Sequence, residues 1–134
     1  MNHTNIVTSF LQDDSKILLL KRSDKVKSMK GLWAGVSGII ENNEIPIDRA
    51  KIEIWEETGI EEVQVVLLKS VQEMRVRSPQ YKNHEWNIFP FLFRTKNPAI
   101  KLNWENSDFK WIEPNEIKNY ETVPELEKIL FSLL

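Results

Sequence analysis

The stretch that decides the fold is residues 38–60, which read GIIENNEIPIDRAKIEIWEETGI. Pro46 suits the first turn of a helix, where the N–H that proline lacks has no partner, and Gly59 can take the left-handed conformation that ends a helix. The sequence therefore predicts a helix between these two residues. Its apolar side is a stripe at i, i+3 and i+7 that can pack on a sheet, formed by Ile47, Ala50 and Ile54.

Three glutamates lie beside this stripe on the predicted helix. Glu53, Glu56 and Glu57 are spaced i, i+3 and i+4, so their side chains share one face. Like charges at this spacing repel, and the face therefore needs either plain solvation or a cation. Carboxylate oxygens are hard ligands that suit Mg²⁺ or Mn²⁺.

These residues resemble the signature of the Nudix hydrolase family. It reads Gly, five residues, Glu, seven residues, Arg-Glu-aliphatic, one residue, Glu-Glu, one residue, Gly-aliphatic. The departure is Ile52, which stands where the family has arginine. Arg49, one turn earlier, lies i, i+4 from Glu53, and we hypothesise that it takes over part of the orienting role of that arginine. The positions in register are Gly38, Glu44, Glu53, Ile54, Glu56, Glu57, Gly59 and Ile60.

The resemblance implies an α/β fold, a Nudix-like α/β/α sandwich around a mixed β-sheet, with residues 1–134 as one domain. It also implies hydrolysis of a nucleoside diphosphate derivative by attack of water on phosphorus, with Mg²⁺ or Mn²⁺ as cofactor. Two alternatives stay open: a non-catalytic module that binds a nucleotide or a protein, and isoprenoid diphosphate isomerase-like chemistry. The isomerases use a cysteine, and this chain has none.

The same resemblance implies the roles of individual residues. Glu53, Glu56 and Glu57 match metal-binding and catalytic glutamates, and the backbone carbonyl of Ser37 is a further candidate ligand. Outside the signature, Glu105 is expected to join the metal or act as base, because it precedes a Trp-aliphatic strand. Glu85 and Glu121 are second choices for that role, and Glu53 itself is another candidate base. The residues expected to support these ligands without binding the metal are Gly38, Glu44 and Arg49.

Substrate contacts are predicted from residue type alone. Cations that can meet phosphates are Arg22, Lys30, Arg75 and Arg77, with Lys82 and Arg94 as further candidates. Aromatic side chains that can stack on a base are Tyr81, Trp86 and Phe89. His3 and His84 have no partner spacing and receive no role.

Composition limits the other classes of function. The chain has 134 residues, of which 41% are hydrophobic, enough for one domain with a core. A formal net charge of −2 argues against bulk nucleic-acid binding. No apolar run approaches the roughly 20 residues of a membrane span, so we expect a cytoplasmic protein without a membrane partner. A homodimer is compatible with the resemblance.

Periodicity and turn residues predict the remaining elements. Residues 5–11 and 17–20 read as a β-hairpin, and Pro90 suggests a bulge or an edge position within a strand over 85–94. Ser78, Pro79 and Gln80 break a long β-prone stretch over 63–76. The other predicted elements are a strand over 109–112, a short helix over 114–120 and an amphipathic helix over 124–133.

Overall fold

The computed structural model describes residues 2–78 and 81–134, and Pro79 and Gln80 of the predicted break lie outside them. Within these described residues, two α-helices and two 3₁₀ helices accompany eight strands. The helices are α1 (Pro46–Thr58) and α2 (Leu126–Ser132), with 3₁₀ turns at Glu62–Gln64 and Pro114–Asn119. The strands are β1 (Asn2–Asp13), β2 (Lys16–Arg22), β3 (Trp33–Ala34), β4 (Val36–Ile39), β5 (Val65–Ser70), β6 (Met74–Val76), β7 (His84–Thr95) and β8 (Asn106–Ile112).

The strands form one mixed sheet whose centre is the parallel pair β1–β7. This ladder runs from the pairing of Asn2 with His84 to that of Gln12 with Arg94. The remaining pairings between strands are antiparallel, in the order β3-β2-β1-β7-β5, with β4 on β1, β6 on β7 and β8 on β2. The predicted hairpin of β1 and β2 is confirmed, although the two strands pair only next to their turn.

Alternating residues of the central strands separate two apolar cores. Phe10, Leu19 and Ile88 belong to one core, together with Ile129 of α2. Val7, Leu18, Phe93 and Ile54 of α1 belong to the other. Because successive side chains of a strand point to opposite faces, the two helices cover opposite faces of the sheet. The predicted α/β/α sandwich is confirmed.

Helix α1 forms as its sequence predicts. It begins at Pro46, ends at Thr58 and is capped by Gly59, whose φ of 76° is left-handed and whose N–H donates to the carbonyl of Trp55. Ala50 and Ile54 are fully buried, while Glu53 and Glu57 are also buried on the adjoining side. The helix therefore presents carboxylates next to the surface with which it packs.

Some predicted elements differ in detail from the structure. The stretch 63–76 is divided into the end of a 3₁₀ turn, β5 and β6, and the helix predicted over 114–120 is a 3₁₀ helix. The edge position predicted for Pro90 is wrong, because β7 lies between β1 and the pair β5 and β6. Pro90 stands opposite the break between β5 and β6, where no antiparallel ladder bond is formed. That break tolerates a residue without an N–H.

Candidate active site

Three carboxylates from two parts of the chain meet at one end of a cleft beside α1. Glu53 and Glu56 lie one turn apart on α1, and Glu105 comes from the loop that leads into β8. One carboxylate oxygen of each lies within 4.8 Å of the other two. Carboxylates so close repel one another unless a cation lies between them, so this group is suited to a divalent ion.

The loop that carries Glu105 is held by hydrogen bonds on two sides. The side-chain oxygen of Asn103 accepts the N–H of Glu105 at 3.0 Å, and its amide donates to Oε1 of Glu105 at 3.3 Å. The hydroxyl of Ser23 donates to the carbonyl of Trp104 at 2.7 Å, and the N–H of Ser23 donates to the carbonyl of Glu105 at 2.8 Å. Glu105 therefore reaches the cleft from a fixed backbone.

Glu57 lies deeper than the other acids, with 3% of its surface exposed. Its Oε1 accepts a hydrogen bond from the amide of Asn106 at 3.1 Å, while its buried Oε2 has no N–H or hydroxyl donor among the described residues. The carboxyl group of Glu53 lies close enough to share a proton with it. Burial raises the pKa of Glu57 well above its ordinary value, and the charges of Glu105 and Glu53 raise it further. A buried carboxylate oxygen without an N–H or hydroxyl donor, close to the charges of Glu53 and Glu105, fits a site that receives a cation.

Arg49 and Gly38 shape the surroundings of Glu53. Burial raises the pKa of Glu53, and a hydrogen bond from Arg49 acts against that rise. Arg49 also binds Glu44, whose pKa its hydrogen bonds hold below the usual range. A Cβ at Gly38 would overlap the carboxyl group of Glu53, so β4 and α1 approach closely only because this residue is glycine.

The cleft has a volume of about 490 Å³ and joins a charged end to an apolar end. The three carboxylates, Ser37, Arg22 and Arg49 line the charged end. The apolar end is lined by β6, β7 and α2, through Val76, Trp86, Ile88, Leu126 and Ile129. Such a shape accommodates a ligand that carries phosphates at one end and a flat apolar group at the other.

Of the four cations predicted to bind substrate, Arg22 lines the cleft, whereas Lys30, Arg75 and Arg77 are not among the described residues that do. Nε and Nη2 of Arg22 donate to the carbonyl of Ser28 at 3.2 and 3.0 Å, and burial lowers its pKa. Arg75 and Arg77 are largely exposed and lie at 3.9 and 3.1 Å from Glu85. Their neighbour Val76 faces the cleft, so the two arginines project away from it.

The second choices for an acid outside the signature do not reach the cleft lining that the structure describes. The carboxylate of Glu85 pairs with His3 and Arg77. The backbone carbonyl of Glu121 accepts the N–H of Trp33. Sequence reasoning missed Asn106, the partner of Glu57. In the sequence, the one indication of this role is that Asn106 follows Glu105. The pairing of β8 with β2 places Asn106 next to α1, and local sequence does not show that pairing.

Comparisons with known proteins agree with this geometry. A family model described as NUDIX domain matches residues 1–133. A MutT-like protein of Streptomyces ambofaciens is 27% identical over 87% of this chain and 68% of its own. Nucleoside triphosphatase NudI of Escherichia coli O139:H28 is 25% identical over 90% of this chain and 89% of its own. The crystal structure of the MutT protein of Methanosarcina mazei Go1 is similar in fold, with a TM-score of 0.76 at 21% identity over 98% of this chain and 92% of that one.

The family match and the named relatives define the enzyme class, a Nudix-type pyrophosphohydrolase that acts on acid anhydrides. The chain belongs to the NUDIX domain family. The family and the enzyme class expected from the sequence are thereby confirmed. Among the described residues, no helix is both long and apolar enough to cross a membrane.

Proposed function

We propose that this protein hydrolyses nucleoside diphosphate derivatives with Mg²⁺ or Mn²⁺ held by Glu53, Glu56 and Glu105. The observation that carries the proposal is the meeting of these three carboxylates at the charged end of the cleft. Glu57, behind them, and the carbonyl of Ser37, beside them, are further candidate ligands. When bound, the ion would neutralise charge on the diphosphate and make a water molecule more acidic.

Where Glu53 and Glu56 hold the ion without it, Glu105 is our choice as the acceptor of the proton from the attacking water. Its Oε1 accepts a hydrogen bond from Asn103, which leaves Oε2 free of that bond on a residue that lines the cleft. A base held on a fixed loop satisfies the geometric requirement of general base catalysis better than a mobile side chain. Glu53, which is tied to Arg49, is the alternative base.

Arg22 is our choice as the protein's own contact with a substrate phosphate. It lines the cleft and is oriented by its two bonds to Ser28. A guanidinium can donate to two phosphate oxygens at once, which suits it to hold a diphosphate in one orientation. We do not propose substrate contacts for the other three predicted cations, because the described cleft lining does not include them: Lys30, Arg75 and Arg77.

Trp86 is our choice as the platform for the nucleotide base. It lines the apolar end of the cleft and is braced by the ring of His84, with 4.5 Å between the ring centroids. A large flat side chain can stack on any base, and this favours nucleotides over diphosphates without an aromatic group. The name of the Escherichia coli relative, a nucleoside triphosphatase, supports the same class of substrate.

The test is release of phosphate or pyrophosphate from a panel of nucleoside triphosphates, nucleotide sugars and dinucleoside polyphosphates, with Mg²⁺ or Mn²⁺. The wild type is compared with Glu56→Gln and Glu105→Gln, and with Glu127→Gln as a control for an exposed carboxylate outside the cleft. We expect turnover to fall about 100-fold or more in the first two variants, the size typical of a lost catalytic acid or base. The control should retain wild-type turnover.

Two outcomes would contradict the proposal. Nucleotide binding without turnover across the panel would favour the non-catalytic module. Full turnover in EDTA would exclude the divalent ion from the reaction. Isomerisation of an isoprenoid diphosphate, followed by chromatography of the products, is the check on the remaining alternative.

A further inference from the structure

Arg49 joins the loop before α1 to the charged end of the cleft. Its Nε and Nη2 donate to the two oxygens of Glu44 at 2.9 and 2.7 Å. Its Nη1 donates to Oε2 of Glu53 at 2.9 Å. Oε1 of Glu44 also accepts the N–H of Glu41 at 2.7 Å, which closes the turn before the helix. One guanidinium therefore ties Glu53 to a loop that is itself held together.

The three side chains are shielded from water. Those of Arg49, Glu44 and Glu53 are 16%, 22% and 9% exposed. Exposed ion pairs are weak because solvent screens them and because two long side chains must be ordered. Here the screening is reduced, and the two parallel bonds to Glu44 fix the plane of the guanidinium. The arrangement can therefore orient Glu53 and does not merely neutralise it.

Position 52, where the family signature has arginine, offers no cation in this chain. Ile52 is 41% exposed and lies with Asp48 and Trp55 in a shallow depression on the outer side of α1. Successive residues of an α-helix are rotated by about 100° around its axis, so the side chain at position 52 points about 100° away from that of Glu53. Arg49 is turned only about 40° from Glu53 and lies between it and Glu56.

We propose that Arg49 is a positioning residue for Glu53 and supplies, one turn earlier, the cation that position 52 lacks. It holds the Glu53 carboxylate in the cleft through its anchorage on Glu44. The inference rests on the proposed metal-dependent function, because the group that it positions is a proposed ligand of the ion.

The test measures Mn²⁺ binding by titration calorimetry without any substrate, and turnover separately. The variants are Arg49→Ala and Arg49→Lys. Lys51→Ala is the control, since Lys51 is a cation of the same helix that pairs with the exposed Glu62 at 3.3 Å. We expect both Arg49 variants to weaken Mn²⁺ binding about tenfold, because lysine cannot donate to two carboxylates in a fixed plane. Lys51→Ala should bind Mn²⁺ as the wild type does.

The direction of the change separates positioning from simple charge. Removal of a positive charge beside a cation site would by itself strengthen Mn²⁺ binding. Tighter binding by Arg49→Ala, or wild-type binding by Arg49→Lys, would therefore overturn the proposal. Circular dichroism of each variant checks that the chain is folded.

A second variant tests the anchor. Glu44→Gln leaves Arg49 and Glu53 in place but removes the charge to which the guanidinium is bound, and we expect Mn²⁺ binding to weaken about threefold. In the double variant Arg49→Ala with Glu44→Gln, the effects should not add, because both act through one chain of bonds. Additive effects would overturn the proposal. If the wild-type protein binds Mn²⁺ but hydrolyses no substrate, the proposed function is contradicted, and the comparison of the Arg49 variants by Mn²⁺ binding stays valid.

Discussion

The amide of Asn106 donates to Oε1 of Glu57 across 3.1 Å, which joins the first residue of β8 to the buried side of α1. The donor is a neutral amide, so it does not balance the charge of the ionised Glu57 carboxylate. The other oxygen of Glu57 has no N–H or hydroxyl donor among the described residues. A buried carboxylate with one of its two oxygens unpaired lowers the stability of the protein when no cation is bound.

Glu57→Gln should therefore stabilise the metal-free protein. The substitution replaces a carboxyl group whose ionised form is disfavoured by burial and adds a donor beside Glu53 and Glu105, and we expect the free energy of unfolding in EDTA to rise by about 1–3 kcal/mol. If Glu57 is one of the ligands, the same variant should also lose part of the stabilisation that Mn²⁺ gives the wild type. Urea denaturation with and without Mn²⁺ measures both effects.

Asn106→Asp is the matched variant for this prediction. It replaces the donor by a second buried carboxylate and should lower metal-free stability, whereas Mn²⁺ should restore part of it. A loss of metal-free stability in Glu57→Gln would contradict the expectation that the charge of Glu57 is destabilising there.

Gly38→Ala should displace Glu53. The added Cβ would overlap the Glu53 carboxyl group, so the side chain must leave its place between β4 and α1. We expect Mn²⁺ affinity to fall about tenfold and the free energy of unfolding to fall by about 1–3 kcal/mol, as for other overpacked sites. Calorimetry and urea denaturation measure the two quantities.

Gly31→Ala separates this effect from backbone strain. A Cβ at Gly31 meets no atom within 4 Å, but its φ of 76° is unfavourable for alanine. Stability should fall by about 1 kcal/mol while Mn²⁺ affinity stays that of the wild type. Unchanged Mn²⁺ affinity in Gly38→Ala would show that Glu53 tolerates the methyl group.

Sequence predicts the parts of this site that are local in the chain. The spacing of Glu53, Glu56 and Glu57, with Pro46 before them and Gly59 after them, is sufficient to define α1 and its acidic face, because caps and periodicity act within one helix. The fold followed from the family resemblance that the same segment carries. Roles of single residues in binding and catalysis stay predictions.

Long-range pairing decides what the sequence could not show. Asn106 meets Glu57 because β8 pairs with β2, where Arg22 lies opposite Asn106. The arginines of β6 were chosen for their charge, yet the sheet turns Val76 toward the cleft and Arg75 away from it. A one-residue change of register would exchange those faces, and no local signal in 63–76 fixes the register.

Trp86→Ala should weaken nucleotide binding. Loss of a stacking platform costs about 1–3 kcal/mol per base, so we expect an increase in Kd or KM of about tenfold with a smaller change in kcat. Trp86→Phe should retain much of the affinity and tests whether the ring, not the packing of β7, is responsible. Trp55→Ala is the control, because Trp55 is 57% exposed on α1. Equal losses in Trp86→Ala and Trp55→Ala would contradict the assignment.

Arg77→Ala should change how stability depends on pH. The Nε of Arg77 donates to Oε2 of Glu85 at 3.1 Å, and this bond, with smaller contributions from Arg75 and His3, holds the pKa of Glu85 below its ordinary value of 4.5. A carboxyl group whose pKa is lower in the folded state adds stability above its unfolded pKa, and that stability is lost as the pH falls through the folded pKa. The wild type should therefore have the higher melting temperature near pH 7, and the difference should disappear below the folded pKa.

Arg94→Ala, which removes an exposed arginine of β7, is the control and should show no such pH dependence. A difference between wild type and Arg77→Ala that persists undiminished in acid would mean that the packing of Arg77, and not its bond to Glu85, accounts for the stability.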